Sequence, residues 1–307
     1  MKIRLLVASF IVISALVPSP TRAQQTDARS DLLVSTAWLA AHINDPNLVL
    51  LHVGSREGYE AEHLPGARLV DLDDVSVSEH EKPGALMLQM PDNEALRNRL
   101  QRLGISSNSR VVVYYARDWV TPATRVVLTL DYAGLGAQTA LLDGNLDLWK
   151  QEKRAVTKEI PAAKQGTLAS LRIKPVIVDG DWVKANIGKP GISVVDGRAA
   201  VFYDGVDTGR GMHAPHKTGH IAGAKSVPFT EITDRTLRLK SREELAALFT
   251  KAGVKPGDTI VGYCHIGQQA TGMLFAARTL GYKVLLYDGS FEDWSARDGA
   301  VETASRK

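Results

Sequence analysis

Two kinds of apolar spacing alternate along the chain. Short apolar runs suited to strands fall at Leu48–Val53, 111–115, 176–178, 192–195, Thr259–Tyr263 and 284–286. Between them lie stretches in which apolar residues recur at helical spacing. Asp179 caps one such helix, which runs to Asn186. Ser241-Arg242-Glu243-Glu244 forms a capping box that opens another, with Leu245, Leu248 and Phe249 turned inward until Gly253 ends it. Ala270, Leu274, Ala277 and Leu280 make a third stripe, closed by Gly281. In the N-terminal half, Asp92 caps a helix and Thr121-Pro122 opens one that closes near Gly134. Strands alternating with helices predict an α/β fold of parallel sheets covered by helices on both faces.

The pattern is written twice. Glu62-His63-Leu64-Pro65-Gly66-Ala67 returns as Gly219-His220-Ile221-Ala222-Gly223-Ala224. The run at 111–116 returns at 259–264, and Leu142-Asp143-Gly144 to Trp149 returns as Tyr287-Asp288-Gly289 to Trp294. Three blocks in one order point to duplication. The expected units are a domain over 31–150, a linker over 151–173 and a second domain over 174–300. Letter matching sets Ala116 against the only cysteine, Cys264, and Gly54-Ser55-Arg56 against Asp196-Gly197-Arg198. The first domain therefore reads as a scaffold without a thiol.

Residues 1–23 stand apart. Lys2 and Arg4 precede an apolar run at 5–17, followed by Pro18, Pro20 and Thr21-Arg22-Ala23. This is the pattern of a secretory signal peptide cut after Ala23. The run falls short of the ~20 residues that a membrane span needs, so stable membrane association is not expected. The formal charge of +3 resides in this leader, because removing Lys2, Arg4 and Arg22 leaves bases and acids equal in number. Nothing then asks for nucleic acid or an anionic surface. Export implies a periplasmic or secreted protein, a setting where structural cysteines come in pairs. A lone thiol kept there suggests use.

The place of Cys264 supports that. It ends a strand, and a helix starts after a short loop, the position where ligands of parallel α/β sheets collect. Loop amides can form an anion nest there, and the helix dipole favours the thiolate. The alternative, a buried apolar filler, is the commoner fate of cysteine.

With both halves, Asp196-Gly197-Arg198, the Gly219-His220-Ile221 block, the cysteine loop and Asp288-Gly289-x-Phe291-x-x-Trp294, nearly all of the chain beyond the leader resembles the tandem-rhodanese sulfurtransferases. The resemblance implies a persulfide-forming Cys264 in a six-residue loop with His265, Ile266, Gly267, Gln268 and Gln269. It implies sulfane sulfur drawn from thiosulfate or 3-mercaptopyruvate and passed to cyanide, a thiol or a protein acceptor, without a cofactor. Arg198 would draw in the anionic donor or, with Asp196, support the loop. Thiosulfate users carry basic residues after the cysteine, where this chain has His265 and Ile266, and many have an arginine at the place of Phe202. Mercaptopyruvate users have a Gly-Ser-type loop, so the donor stays open.

A rhodanese-like phosphatase needs an arginine where Ala270 stands, and a cysteine hydrolase elbow needs glycine where Ile266 stands. A persulfide carrier without turnover is an alternative reading. Metal binding is a second alternative, through His213, His216 and His220, which have ligand-like spacing but sit in a stretch broken by Pro215 and Gly219. The segment 203–217, long enough to cover a site, contains His213 and His216. One prediction follows from the leader. The mature protein begins at Gln24, which N-terminal sequencing of exported protein checks; an intact Met1 would refute it.

Overall fold

The computed structural model describes residues 28–79, 82, 84–116, 120–207 and 217–303. The proposed leader, His213 and His216 lie outside them. In the first half, β1 (Leu33–Val34), β2 (Leu48–Val53), β3 (Arg68–Val70), β4 (Arg110–Tyr115) and β5 (Thr139–Leu142) form one sheet in the order β1-β5-β4-β2-β3. In the second, β6 (Ile177–Val178), β7 (Ile192–Asp196), β9 (Lys225–Ser226), β10 (Thr259–Tyr263) and β11 (Lys283–Tyr287) repeat it as β6-β11-β10-β7-β9. Every pairing in both sheets is parallel. A short antiparallel pair, β8 (His220–Ile221) with β12 (Val301–Glu302), carries the second half past residue 300, its expected end.

The local signals hold. Asp179 accepts from Trp182 N at 2.8 Å, Asp92 from Glu94 and Ala95 N, and Ser241 and Glu244 complete the capping box. The linker is a strap laid on the first half. Thr157 bridges His63, Gly166 N donates to Gln101 O at 2.8 Å, and Leu168 is buried in the core.

Strand register corrects the alignment of the halves. Tyr114 pairs with His52 as Tyr263 pairs with Asp196. Each tyrosine hydroxyl accepts a backbone amide at 3.1 Å, from Leu64 and from Ile221 respectively. Tyr115, not Ala116, therefore stands at the level of Cys264, and His52, not Gly54, at that of Asp196. Letter matching had set Tyr115 on Tyr263. In a strand such a one-residue slip exchanges the two faces, and Tyr114 and Tyr263 both face the outer layers of their sheets.

The inner faces share one core. Val113, Tyr115 and Val127 of the first half lie in the same apolar cluster as Ile260, Cys264 and Leu274 of the second. At its centre the helices Thr121–Tyr132 and Gln269–Thr279 cross, with Thr124 Oγ1 and Thr271 Oγ1 sharing a hydrogen bond at 2.9 Å. A side chain on Gly272 would come within 2.9 Å of Thr121 Cγ2, so glycine permits the approach.

Each half also lends the other an arm. The arm closed by the Val77–Gln89 bridge reaches the second half, and that closed by Thr233–Leu239 reaches the first. Both turn on a leucine with positive φ, Leu88 at 52° and Leu237 at 63°. Arg238 of one arm meets Asp143 at 3.1 Å, and Leu237 O accepts the Tyr115 hydroxyl.

His52 supplies a pH test of this core. It is buried, its Nδ1 shares a 2.7 Å hydrogen bond with Tyr114, and burial, assisted by the charge of His63, lowers its pKa from 6.5 to about 4. A folded value below the unfolded one gives stability that is full above pH 6.5 and is lost as pH falls towards 4. The loss is at most about 3 kcal/mol. Urea midpoints measured across that window should decline, and His52→Asn should flatten that part of the profile. A wild-type profile level between pH 6.5 and 4 contradicts the assignment.

Candidate active site

Cys264 leaves β10 fully buried, and the helix Gln269–Thr279 begins five residues later. The loop between is held by its carbonyls. Cys264 O accepts from Phe291 N at 3.0 Å and His265 O from Glu292 N at 3.1 Å. Gln268 O accepts from Thr271 N and, at 2.7 Å, from Thr271 Oγ1. Gly267 O accepts from Arg125 Nη1 at 3.1 Å. In a trans peptide the next N–H points opposite to the carbonyl. The amides of His265, Ile266, Gln268 and Gln269 are thereby turned away from the groups that hold the loop.

Gly267 has φ +83°, and a Cβ there would lie 2.9 Å from Asp288 O, so glycine is required on both counts. Ser290, at φ 54°, takes the Cys264 N–H on its Oγ at 3.2 Å and donates to Tyr287 O at 2.9 Å. This fixes the cysteine backbone against the Asp288-Gly289-x-Phe291 turn.

The other expected site residues separate by role. Asp196 ends β7 beside Tyr263, and Arg198 grips it through Nε at 3.0 and 3.1 Å and Nη2 at 2.6 Å. Arg198 also donates to Gly219 O at 2.7 Å and lies 4.0 Å above the Phe291 ring. Burial alone would lower its pKa, but the Asp196 carboxylate, with Tyr263 and Cys264 behind it, holds the guanidinium above its ordinary value. Both side chains are buried, so the pair supports the strand end under the loop. Stranding either charge would cost about 3–5 kcal/mol. His265 is buried with its ring edge-on to Phe202 at 4.6 Å, and Ile266 is half-buried. Gln268 Nε2 reaches Thr121 Oγ1 at 3.4 Å.

His220 is committed elsewhere. Its Nδ1 meets Tyr203 O at 2.7 Å, its Nε2 lies 3.3 Å from Glu302, and its ring stacks on Tyr203. His63 repeats the arrangement with Tyr59 and Glu159 O. This histidine is a structural element of both halves. Among the described residues no group of three or more His, Cys, Asp or Glu could hold a metal ion.

Sequence reasoning missed the contribution of the first half. Arg125 is fully buried and donates to Gly267 O, to Asp288 Oδ1 at 2.7 Å and to Leu88 O. Asp288 is gripped from its other side by Met90 N at 2.8 Å, while Glu292 accepts from Met87 N at 3.0 Å. The signal was legible in principle. Arg125 is a charge set among Ala123, Val126 and Val127 in an otherwise core-facing helix, and such a charge needs a buried partner.

Comparison with known proteins agrees with this architecture. The model of the rhodanese-like domain matches residues 35–152 and again 179–297. The thiosulfate sulfurtransferase of Azotobacter vinelandii is 29% identical over 86% of this chain and 93% of its own length. The 3-mercaptopyruvate sulfurtransferase of Escherichia coli K12 is 30% identical over 86% and 95%. The sulfur carrier protein TtuD of Thermus thermophilus is 29% identical over 87% and 94%. With the family's domain matched over both halves, the chain belongs to the rhodanese-like family as a tandem of two such domains.

Proposed function

We propose that the chain is an exported sulfurtransferase in which Cys264 carries the sulfur as a persulfide, taken from thiosulfate or 3-mercaptopyruvate. The Cys264 thiolate attacks the outer sulfur of the donor. With thiosulfate the sulfur–sulfur bond breaks and sulfite leaves with the electron pair; with mercaptopyruvate the carbon–sulfur bond breaks and the pyruvate enolate leaves. An acceptor such as cyanide then attacks the terminal sulfur, and the Cys264 thiolate is released. One transfer is thus divided into two displacements. The observation that carries this reading is the loop itself. Its carbonyls are engaged from outside, which turns the N–H groups of Ile266, Gln268 and Gln269 to the opposite side of the loop, beside the only cysteine of the sequence, where backbone N–H groups suit an anion.

Incubation with donor should add the mass of one sulfur atom to the protein. Cys264→Ser should abolish both that gain and thiocyanate formation while folding persists. Sulfur transfer well above background in the serine variant would remove Cys264 from the mechanism. A carrier role is the second reading, favoured by the similarity to a protein named as a sulfur carrier. Loading without turnover on cyanide would select it.

Donor preference follows from charge. Thiosulfate is a dianion, and Ile266 offers it only apolar surface. At an effective dielectric near 20, a cation ~4 Å from the donor is worth at most a few kcal/mol before desolvation. Each 1.4 kcal/mol realised in the transition state is about tenfold in rate. Ile266→Lys should raise kcat/KM for thiosulfate by about one order of magnitude, with less effect on the monoanionic mercaptopyruvate at the same ionic strength. No gain, or an equal gain on both donors, means that residue 266 does not face the donor.

A further inference from the structure

We propose that Arg125, in the half without the thiol, is a positioning residue for the sulfur-loading step, acting by holding the Gly267–Gln268 peptide in its working orientation. This rests on the reading of Cys264 as the loaded nucleophile.

The geometry is specific. Arg125 rises from the helix Thr121–Tyr132 and is fully buried, yet its donors leave its own helix. Nη1 serves Gly267 O at 3.1 Å and Asp288 Oδ1 at 2.7 Å, and Nη2 serves Leu88 O. Gly267 lies in the left-handed region at φ +83°, where glycine alone is relaxed and the peptide on its C-terminal side rotates at little cost. A freely rotating peptide at that point could present its carbonyl, rather than the Gln268 N–H, to the anion. That exchange would set a negative dipole against the thiolate and the departing sulfite. The Arg125 contact removes the alternative by engaging the carbonyl on the outer side.

The rest of the contact set keeps the guanidinium in place. Asp288 is held from the far side by Met90 N at 2.8 Å, and Gln89 Nε2 reaches Asp288 O at 3.3 Å. Both come from the arm lent by the first half. Arg125 Nε, also buried, has no hydrogen-bond partner among the described residues. Burying an arginine with one donor unmet is unfavourable if the aim is stability alone. A well-packed apolar residue would hold two helices together better. What it could not do is orient a carbonyl in the other domain.

The register makes the same point. At the crossing itself the two helices meet through Thr124 and Thr271, which share a hydrogen bond at 2.9 Å. Asp143, the counterpart of Asp288, is met by Arg238 from the lent arm of the second half, not by an arginine on a helix. The Arg125 arrangement is therefore not part of the duplicated frame. It occurs on the side of the molecule that bears the cysteine.

The test measures single-turnover loading of Cys264 from thiosulfate by intact mass, with hydrogen exchange on the peptide spanning 264–269. Arg125→Ala should slow loading by about 10- to 100-fold, the scale of a misplaced reacting group, with the donor concentration for half-maximal rate little changed. Exchange across 264–269 should rise. Guanidinium ion at non-denaturing concentration should restore loading in this variant and leave wild type unaffected. Arg125→Lys serves as the second variant. It keeps a cation for Asp288 and so should keep the unfolding midpoint, but its single ammonium does not reproduce the fork, and loading should stay several-fold slow. Wild-type loading in the folded lysine variant would overturn the proposal. So would a loss in Arg125→Ala that guanidinium does not rescue and that is matched by a loss of the folded state. Cys264→Ser separates the two readings. If it still loads sulfur, the nucleophile is misassigned; if it does not, while the Arg125 variants load normally, only the positioning role fails.

Discussion

The structure depends on how the loop that begins at Cys264 disposes of its backbone carbonyls. A loop that is to offer N–H groups to an anion must send its C=O groups elsewhere, and buried carbonyls need donors. In this chain those donors come from three places: the helix that follows the loop, the Asp288-Gly289-x-Phe291 turn, and Arg125 of the other half. Only the first is local. The loop in this structure is therefore completed by a donor from the other half.

That requirement explains features that a single domain would not need. The halves do not meet as two closed surfaces. Cys264 and Tyr115, at equivalent levels of their sheets, lie in the same apolar cluster. The helices cross closely enough for two threonine hydroxyls to share a hydrogen bond, which the lack of a side chain on Gly272 permits. The exchanged arms then fasten the rims, one through Met90 and Asp288, the other through Arg238 and Asp143. A duplicated fold has thus divided its labour. One half carries the thiol, and the other supplies the bulk, the arm and the arginine that keep its loop in shape.

The Asp196–Arg198 pair belongs to the same logic at a lower level. It is buried, bidentate and further tied to Gly219 O and the face of Phe291. An ion pair so enclosed contributes little net stability relative to an apolar replacement. Its effect is geometric, since it locks the end of β7 against the turn that carries Phe291. The Cys264 carbonyl is bonded to the amide of that same residue.

Much of this was determined by the sequence itself. Apolar spacing set the strands and helices, capping residues set helix starts at Asp92, Asp179 and Ser241, and repeated blocks revealed two α/β halves. The strand-loop-helix position of Cys264 pointed to the site. These are local properties, in which each residue's preference is satisfied by neighbours a few positions away. Register was not local: matching letters set Ala116 on Cys264, and only the ladder between β2 and β4 showed Tyr115 there. Nor was the role of Arg125, whose acceptor on Gly267 is 142 residues distant. Such contacts leave no periodic trace. A lone arginine in an apolar helix tells only that a partner must exist, and the docking of the two halves decides which one it is.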